Sequence, residues 1–505
     1  MRIFLSYILL LIVTFSCGTI ETIEAQRVKK SSSDPIEKQV QDNTSDIAKL
    51  ESRQDNLKNK QRELQNDYDE LKRIVDSLIS PQQPIIITDI VKGAGKNVTG
   101  GRGGIVVKVT NLNDSGAGSL RSALMMKVPR MIVFDVSGTI ILNSRIELIK
   151  ENSNFTVLGQ TAPMGGITIS NNVIRVGGGW NRASEPCDNN IWMYVRPRNG
   201  RYNGQPDQEA ANAIICSGAN GLVFKNCSFS FCDDQAISAG GDWGDLRNIT
   251  IQNCIFSENA TGVILGMNSA KPTGDASIIN NLFIDQSHRT PNMGGGLQYD
   301  VVNNVYFNWK SRLSNINSNA PNVNFVGNYL IEGSYTDIGQ YNQIQNKSPR
   351  IYNNDNYLER TRGVIGNNVL WQRFVDEGNV SSSIFVNEPF DYLGGLEPLS
   401  HNATYDYVDE NVGANKYIKD NGEIGYYRDS YDTQKLSNLR NRISTNPFNK
   451  NWTLPTLPTN VRPSNYDVNN NGICDIWESE NIPDGENWED ISPSGCSWLE
   501  TFAYR

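Results

Sequence analysis

From residue 222 onwards one small pattern recurs: a run of alternating or β-branched apolar residues, a pair of small polar residues, and a second short apolar run. Leu222-Val223-Phe224-Lys225-Asn226-Cys227-Ser228-Phe229 has this shape, and so does Ile249-Thr250-Ile251-Gln252-Asn253-Cys254-Ile255-Phe256. Residues 277–284, 300–307, 323–330 and 363–370 follow it. The small polar position falls at Cys227, Cys254, Asn281, Asn304, Asn328 and Asn368, in steps of 27, 27, 23, 24 and 40 residues. A unit of about two dozen residues built on short β-branched strands predicts a coil of a solenoid. In a parallel β-helix each coil buries its apolar residues on the coils above and below, and asparagines stack at a turn. A leucine-rich repeat is the structural alternative, but these segments lack its leucine spacing and favour Val, Ile, Phe and Asn.

The N-terminal pattern is different. Arg2 followed by an apolar stretch over 8–15 reads as an export signal too short to span a bilayer. Thr14-Phe15-Ser16-Cys17-Gly18 resembles a bacterial lipobox, which predicts a membrane lipid anchor at Cys17; the alternative is an ordinary secretory signal over 1–17 with a chance cysteine. Either reading takes the protein out of the cytoplasm, to a secreted or outer-surface location. Residues 18–34 form a polar tether. Over 35–80, Leu50, Leu57, Leu64, Leu71 and Leu78 recur every seven residues, with Ile47, Tyr68 and Val75 on the companion seam. That is a coiled-coil stalk, and it predicts a homo-oligomer. Pro81 and Pro84 end it.

A net charge of −9 argues against nucleic acid as partner, because a phosphate binder needs a basic face. An acidic chain that binds an acidic polymer needs a metal ion or a local basic patch. Only two histidines, His288 and His401, are present, which argues against a histidine-based metal centre.

From Gly93 the composition turns to Gly, Val, Asn and Thr. Gly100-Gly101-Arg102-Gly103-Gly104 is followed by Val107-Lys108-Val109-Thr110-Asn111-Leu112-Asn113-Asp114-Ser115-Gly116-Ala117-Gly118-Ser119-Leu120-Arg121. Ile132-Val133-Phe134-Asp135-Val136-Ser137-Gly138-Thr139-Ile140 and Leu158-Gly159-Gln160-Thr161-Ala162-Pro163 continue in order. These stretches resemble the opening of pectate lyases of polysaccharide lyase family 1. The resemblance covers about 91–370 and implies a right-handed parallel β-helix, placed here over 91–460, capped by a short helix near 119–127. It also implies Ca2+-assisted β-elimination on a polygalacturonate-like acidic polysaccharide. In that family the arginine of an Arg-x-Pro element is the base, which Arg289-Thr290-Pro291 matches; His288 stands beside it as an assisting or substrate-binding residue.

The same resemblance implies calcium ligands at Asp233 and Asp234. Three positions depart from it: Lys225 stands where an acid is usual, Ser238 where a second acidic ligand is expected, and Thr261 where a lysine would grip a substrate carboxylate. Lys271, Arg196 and Arg198 are candidate replacements for that lysine, and Lys225 could itself neutralise substrate. These departures also fit a non-catalytic glycan binder, such as a surface adhesin or a virion tailspike. The intact Arg-x-Pro element favours the lyase.

In the C-terminal segment 461–505, Asp467, Asn469, Asn471, Gly472, Asp475 and Glu478 occupy positions 1, 3, 5, 6, 9 and 12 of an EF-hand-like loop. This predicts a structural calcium apart from the cleft. Of eight cysteines, Cys474 and Cys496 could pair in an oxidising compartment, whereas Cys227 and Cys254 are expected to stack inside the solenoid.

Overall fold

The computed structural model describes residues 49–50, 53–54, 56–57, 60–61, 90–177, 186–200, 208–239, 246–266, 274–296, 298–317, 320–345, 348–373 and 380–505. The signal, Cys17, the tether and most of the heptad run lie outside these residues. The described positions of the run are helical, and Leu50 and Leu57 among them are more than half exposed.

Residues Pro84–Arg505 form one compact unit built on the expected all-β parallel solenoid. Each coil contributes three short strands. In one of them Leu246–Gln252 joins a ten-stranded sheet, Ile255–Ser257 a seven-stranded sheet and Thr261–Leu265 a nine-stranded sheet, before Ala276–Ile279 opens the next coil. Equivalent strands pair in parallel, so that Ile249, Ala276, Tyr299 and Val323 lie side by side on successive coils. A three-stranded sheet of Gly138–Ile141, Ile167–Ser170 and Val195–Pro197 adds a further wall near the N-terminal end. The helix Leu120–Leu124 is capped by Ser119, whose hydroxyl accepts from the Ser122 N–H.

The paired polar residues of the repeat have separate jobs. The first of each pair takes the left-handed turn: Asn226 (φ 51°), Asn253 (54°), Asn280 (56°) and Asn303 (56°). Asparagine tolerates this conformation better than other side chains. The second residue points inward and stacks. Asn281, Asn304, Asn328 and Asn356 each accept a hydrogen bond from the backbone N–H of the preceding rung, at 2.9–3.1 Å. Their Nδ2 groups donate to strand carbonyls of Ile251, Ile278, Val301 and Phe325. Every buried amide is therefore satisfied along the ladder. Behind it Phe229, Phe256, Phe283 and Tyr306 stack with ring centroids 5.0, 4.8 and 5.1 Å apart, close to the spacing of hydrogen-bonded strands.

Two expectations change. The last rung is Asn356, not Asn368: residues 363–370 form the short antiparallel strand Gly363–Val364 and the helix Asn367–Leu370. Cys474 and Cys496 are both free thiols. Cys474 Sγ donates to the Asp420 carbonyl, and Cys496 sits among the hydroxyls of Ser494 and Thr501. Cys227 and Cys254 do stack inside the solenoid, with the Cys227 N–H donating to Cys254 Sγ at 3.4 Å.

The chain after residue 380 covers two of the three main sheets. Val408, Val412, Leu436 and Leu439, from the helices His401–Asn411 and Ser430–Asn441, pack on Ile255, Leu282 and Val305 of the seven-stranded sheet. Ile418, Trp477, Trp498 and Phe502 pack on Met131, Met193 and Val223 of the ten-stranded sheet. Among the described residues, none of the nine-stranded sheet joins these outer clusters, although its positions Ile215, Ser238, Ile264, Asn292 and Asn315 are themselves buried.

One helix face carries the charges that pin this cover down. Asp429, Asp432 and Lys435 recur every three residues, which places them on one side of the helix. Asp429 caps it by accepting from the Tyr431 and Asp432 N–H groups and holds Arg198 Nη1 at 2.8 Å; Asp432 holds Arg198 Nη2 at 2.7 Å. Lys435 pairs with Asp285 at 2.7 Å and with Glu258. All are buried or nearly so, and removing one member of such a cluster costs about 3–5 kcal/mol because its partner is left charged in the interior.

Candidate active site

The Arg-x-Pro element lies in the loop between Leu282–Ile284 of the seven-stranded sheet and Asn292–Met293 of the nine-stranded sheet. Its start is anchored at Asp285, a fully buried carboxylate that accepts from Asn308 Nδ2 at 2.6 Å, Lys435 Nζ at 2.7 Å and the Thr445 N–H at 2.9 Å. Its end is held by Thr290, whose N–H and hydroxyl both donate to the Leu313 carbonyl. The Thr290–Pro291 bond is cis. Arg289 between them has φ 57°, donates its N–H to the Arg312 carbonyl at 2.8 Å and accepts from the Val263 N–H. Gly262 underlies the loop, where a Cβ would come within 2.6 Å of the Thr290 methyl.

This anchoring fixes Arg289 at the nine-stranded sheet, the wall left outside the outer clusters, with its guanidinium partly exposed and its Nε buried without a hydrogen bond among the described residues. Burial holds its pKa below the ordinary arginine value, and the Asp234 carboxylate opposes that. His288 makes a bridge with Thr261, and its Nδ1 lies 2.7 Å from the Ala260 carbonyl. A carbonyl only accepts, so Nδ1 carries the proton and Nε2 is the free base nitrogen. Burial, with Arg289 and Arg312 nearby, pushes the imidazole down to about 4.

Asp234 lies two coils away, with its carbonyl accepting from the Thr261 N–H. Burial raises its carboxyl above the usual range; a hydrogen bond from Asn212 and the charge of Arg289 work against that. Gln235 donates to it. Asp233 is buried and ion-paired with Lys450. Ser238 is buried between Ile215 and Ile264 on the same sheet. The donor set therefore offers one carboxylate outside an ion pair, Asp234, itself hydrogen-bonded by Gln235, where calcium takes six to eight oxygens. These residues alone do not make up a resident calcium site, and no triad of His, Cys, Asp or Glu fit for a metal occurs among the described residues.

Three other expected substrate contacts are placed elsewhere. Arg196 and Arg198 are 2% and 0% exposed in the ion cluster with Asp429 and Asp432, so they hold the C-terminal cover and do not face a groove. Lys225 ends the strand Ala219–Lys225 of the ten-stranded sheet, a different wall from Arg289. Burial, and then Lys416 with Lys92, lowers its pKa to about 8. Lys271 lies outside the described residues. The residue that sequence reasoning missed is Arg312, one coil beyond Arg289. Its signal was a 23-residue repeat: Asp285-x-x-x-Arg289 returns as Asn308-x-x-x-Arg312.

The EF-hand-like loop of the C-terminal segment lies beside Ile105–Val109, the first strand of the ten-stranded sheet. Asp467 accepts from the N–H groups of Asn471 and Gly472 at 3.0 and 2.8 Å, and Gly472 makes the sharp turn at φ 86°. Asn469 and Asn471 both donate to Glu478, at 3.1 and 2.8 Å, while Asp475 accepts from the Val468 N–H. Positions 3, 5 and 12 thus meet at one point. Lys108 Nζ also holds Asp467, at 2.7 Å.

The described fold is a parallel solenoid with an Arg-x-Pro loop beside its nine-stranded sheet. No family model matches the chain. Among curated proteins, it is 31% identical over 453 residues to a protein named probable pectate lyase C of Aspergillus oryzae, covering 85% of this chain and 98% of that one. The protein of the same name from Aspergillus terreus is 32% identical over 353 residues, 69% of this chain and 76% of that one. The chain belongs to the pectate lyase family. Among solved structures, the cedar pollen allergen jun a 1 matches at 18% identity with TM-score 0.47, over 66% of this chain and 95% of that one. Pectate lyase Bsp165PelA from Bacillus sp. N165, solved with trigalacturonate, matches at 13% and 0.47 over 64% and 98%. Family membership rests on the sequence relatives.

The His288 environment makes a prediction with a definite sign. Its folded pKa of about 4 lies below the value of about 6.5 expected when unfolded. The unfolded chain therefore binds the proton first, and the stability this ring contributes is complete above pH ~6.5 and lost as pH falls towards 4. NMR titration of the imidazole C–H signals, assigned with His288→Gln, should give a midpoint near 4; a midpoint near 6.5 would contradict the buried placement.

Proposed function

We propose that the chain is an exported lyase that cleaves a uronate polymer by β-elimination, with Arg289 as the base. The C5–H bond breaks, its proton goes to Arg289, and its electron pair is taken up by the neighbouring carboxylate. That pair then forms the C4=C5 double bond as the C4–O4 bond breaks; the leaving oxygen takes a proton from water, and the hydroxide so formed takes the proton from Arg289. The C5 proton is weakly acidic because the neighbouring carboxylate resists further negative charge, so cations must stand at that carboxylate in the transition state. The observation that carries the reading is the placement of Arg289: an Arg-x-Pro guanidinium, partly buried and lowered in pKa, on the wall outside the outer clusters. Burial favours the neutral guanidine that a base must be, and its fraction grows with pH, so turnover should rise towards alkaline pH. His288, neutral above pH ~5, offers Nε2 beside it without adding charge.

Calcium dependence is part of the proposal, and its donors differ from the expected ones. Asp233 is taken by Lys450, so the ion would have to arrive with the polymer's own carboxylates, and only Asp234 would meet it from the protein. Positive charge from the protein develops at Arg289 as it takes up the C5 proton, with Arg312 one coil away. The adhesin and tailspike alternatives have no support among the relatives.

A second calcium is proposed in the loop 467–478, where Asn469, Asn471 and Glu478 meet. That donor set of carboxylate and amide oxygens fits a structural ion once the amides turn their oxygens inward.

Two measurements test these assignments. On polygalacturonate at pH ~9 with calcium, wild type should raise the absorbance near 235 nm, and Arg289→Lys should lower the rate by about a hundredfold or more. EDTA should stop turnover and calcium restore it. An active Arg289→Lys enzyme would remove the base; turnover indifferent to EDTA would remove the cleft ion alone. For the loop, added calcium should raise the melting temperature of wild type and not of Glu478→Gln; equal shifts in both would exclude the site.

A further inference from the structure

The covering segment carries a cavity of about 280 Å³ that the elimination reading does not use. One side of it is the antiparallel hairpin of Lys416–Ile418 and Ile424–Tyr426, and the other is the helix Ser430–Asn441. Thr433, Leu436 and Arg440 recur at intervals of three and four residues, so they line one stripe of that helix. Asn415 precedes the first hairpin strand, and Tyr426 with Tyr427 ends the second. The Tyr427 N–H donates to the Asn415 carbonyl at 3.0 Å, which ties these ends together. Leu436 packs on the seven-stranded sheet and Ile418 on the ten-stranded sheet, so the cavity belongs to the cover and not to the Arg289 loop.

Two polar atoms here are buried without a hydrogen-bond partner among the described residues: Asn415 Oδ1, on a side chain 7% exposed, and Arg428 Nε. One is an acceptor and the other a donor, and burying either unmet is costly. The charges at the cavity, by contrast, are already matched. Arg440 Nε meets both oxygens of Asp409, at 2.9 and 2.8 Å. Arg428 Nη2 donates to the Glu410 and Val412 carbonyls at 2.7 and 3.0 Å, at the negative end of the helix His401–Asn411. Burial lowers the Arg428 pKa, and the carboxylates of Asp432, Asp409 and Glu410 oppose that. The Tyr426 ring is 74% exposed, and the Tyr427 ring is backed by the buried Arg196 guanidinium at 5.7 Å.

We propose that this cavity binds one neutral sugar residue of a polysaccharide, at a site separate from the Arg289 loop. A sugar hydroxyl donates and accepts at once, so hydroxyls answer both Asn415 Oδ1 and Arg428 Nε. A carboxylate only accepts: it would leave Asn415 Oδ1 unmet and would enter among Asp409, Glu410 and Asp432, where both arginines are already matched. The C–H face of the sugar lies on the exposed Tyr426 ring, an apolar body with a polar tip. Thr433, exposed on the helix, adds a further hydroxyl at the rim. The assignment stands on the cover alone and does not depend on the elimination reading. Neutral chains reach such a site from two sources, branches carried on a uronate polymer or a separate neutral polysaccharide, and both present the same chemistry.

Native affinity electrophoresis of the full chain tests the site, in gels containing linear galactan or arabinan for the branches and a soluble β-glucan for the separate polymer. Wild type should be retarded by at least one of them. Retardation by galactan or arabinan alone assigns the branches, by β-glucan alone the separate polysaccharide, and by all three a neutral-sugar site indifferent to source. Tyr426→Ala removes the exposed ring and Asn415→Ala the unmet amide; each should weaken binding about fivefold or more, the size of one ring contact or hydrogen bond. Asn415→Ala should leave the melting temperature unlowered, because its Oδ1 has no partner to lose. A lowered melting temperature with retardation intact would mark the amide as structural and overturn the proposal. So would no retardation by any of the three polymers, or equal retardation of wild type and both variants. Release of the neutral polymer by added trigalacturonate would assign the binding to a uronate site and overturn it as well.

Discussion

A carboxylate buried at 0% exposure must be fully paired, and Asp285 is the residue at which that requirement ties the molecule together. It sits at the first residue after a solenoid strand, in the left-handed turn that starts the Arg289 loop. Its partners come from three parts of the chain: Asn308 on the next coil, Lys435 on the covering helix and the Thr445 backbone after it. Coil stacking, the C-terminal cover and the shape of the Arg289 loop therefore share one hydrogen-bonded centre. Arg198 with Asp429 and Asp432 repeats the arrangement along the same helix. Arg289 is held there by backbone hydrogen bonds and partial burial, the rigidity that the proposed role as base requires.

Much of this was legible in the sequence because the solenoid writes its own period. The Asn-Asn and Asn-Cys pairs encode a turn followed by a stacking rung, and their spacing located the coils before any coordinates. The ladder went astray at its last step, where a 40-residue gap to Asn368 concealed a rung at Asn356. Apolar periodicity alone could not show that residues 367–370 are helical, since a short apolar run reads the same way in a strand and a buried helix. Arg289 was found through its Arg-x-Pro context. Arg312 carried the same signal one period later and had no motif to draw attention to it.

What the sequence could not convey is which wall a residue faces and what covers that wall. Arg196 and Arg198 looked like carboxylate binders, and they do bind carboxylates: those of Asp429 and Asp432, more than two hundred residues downstream. Lys225 lies on the ten-stranded sheet and not beside Arg289, with Lys416 and Lys92 near it. Asp233 is a buried acid whose charge is met by Lys450. Each misplacement follows from the C-terminal cover, whose helices have weak apolar periodicity and whose docking depends on buried ion pairs. Two partly exposed arginines, Arg289 and Arg312, remain beside the nine-stranded sheet.

The central claim is that the nine-stranded wall around Arg289 is where the polymer lies. Hydrogen–deuterium exchange of Arg289→Ala with and without trigalacturonate tests it most directly. The account predicts slowed exchange at the amides of 234–239, 261–265, 288–293 and 312–316, with no change at 219–225 or 414–418. Protection confined to the segments around Lys225 and Lys416, with the Arg289 loop unaffected, would contradict it.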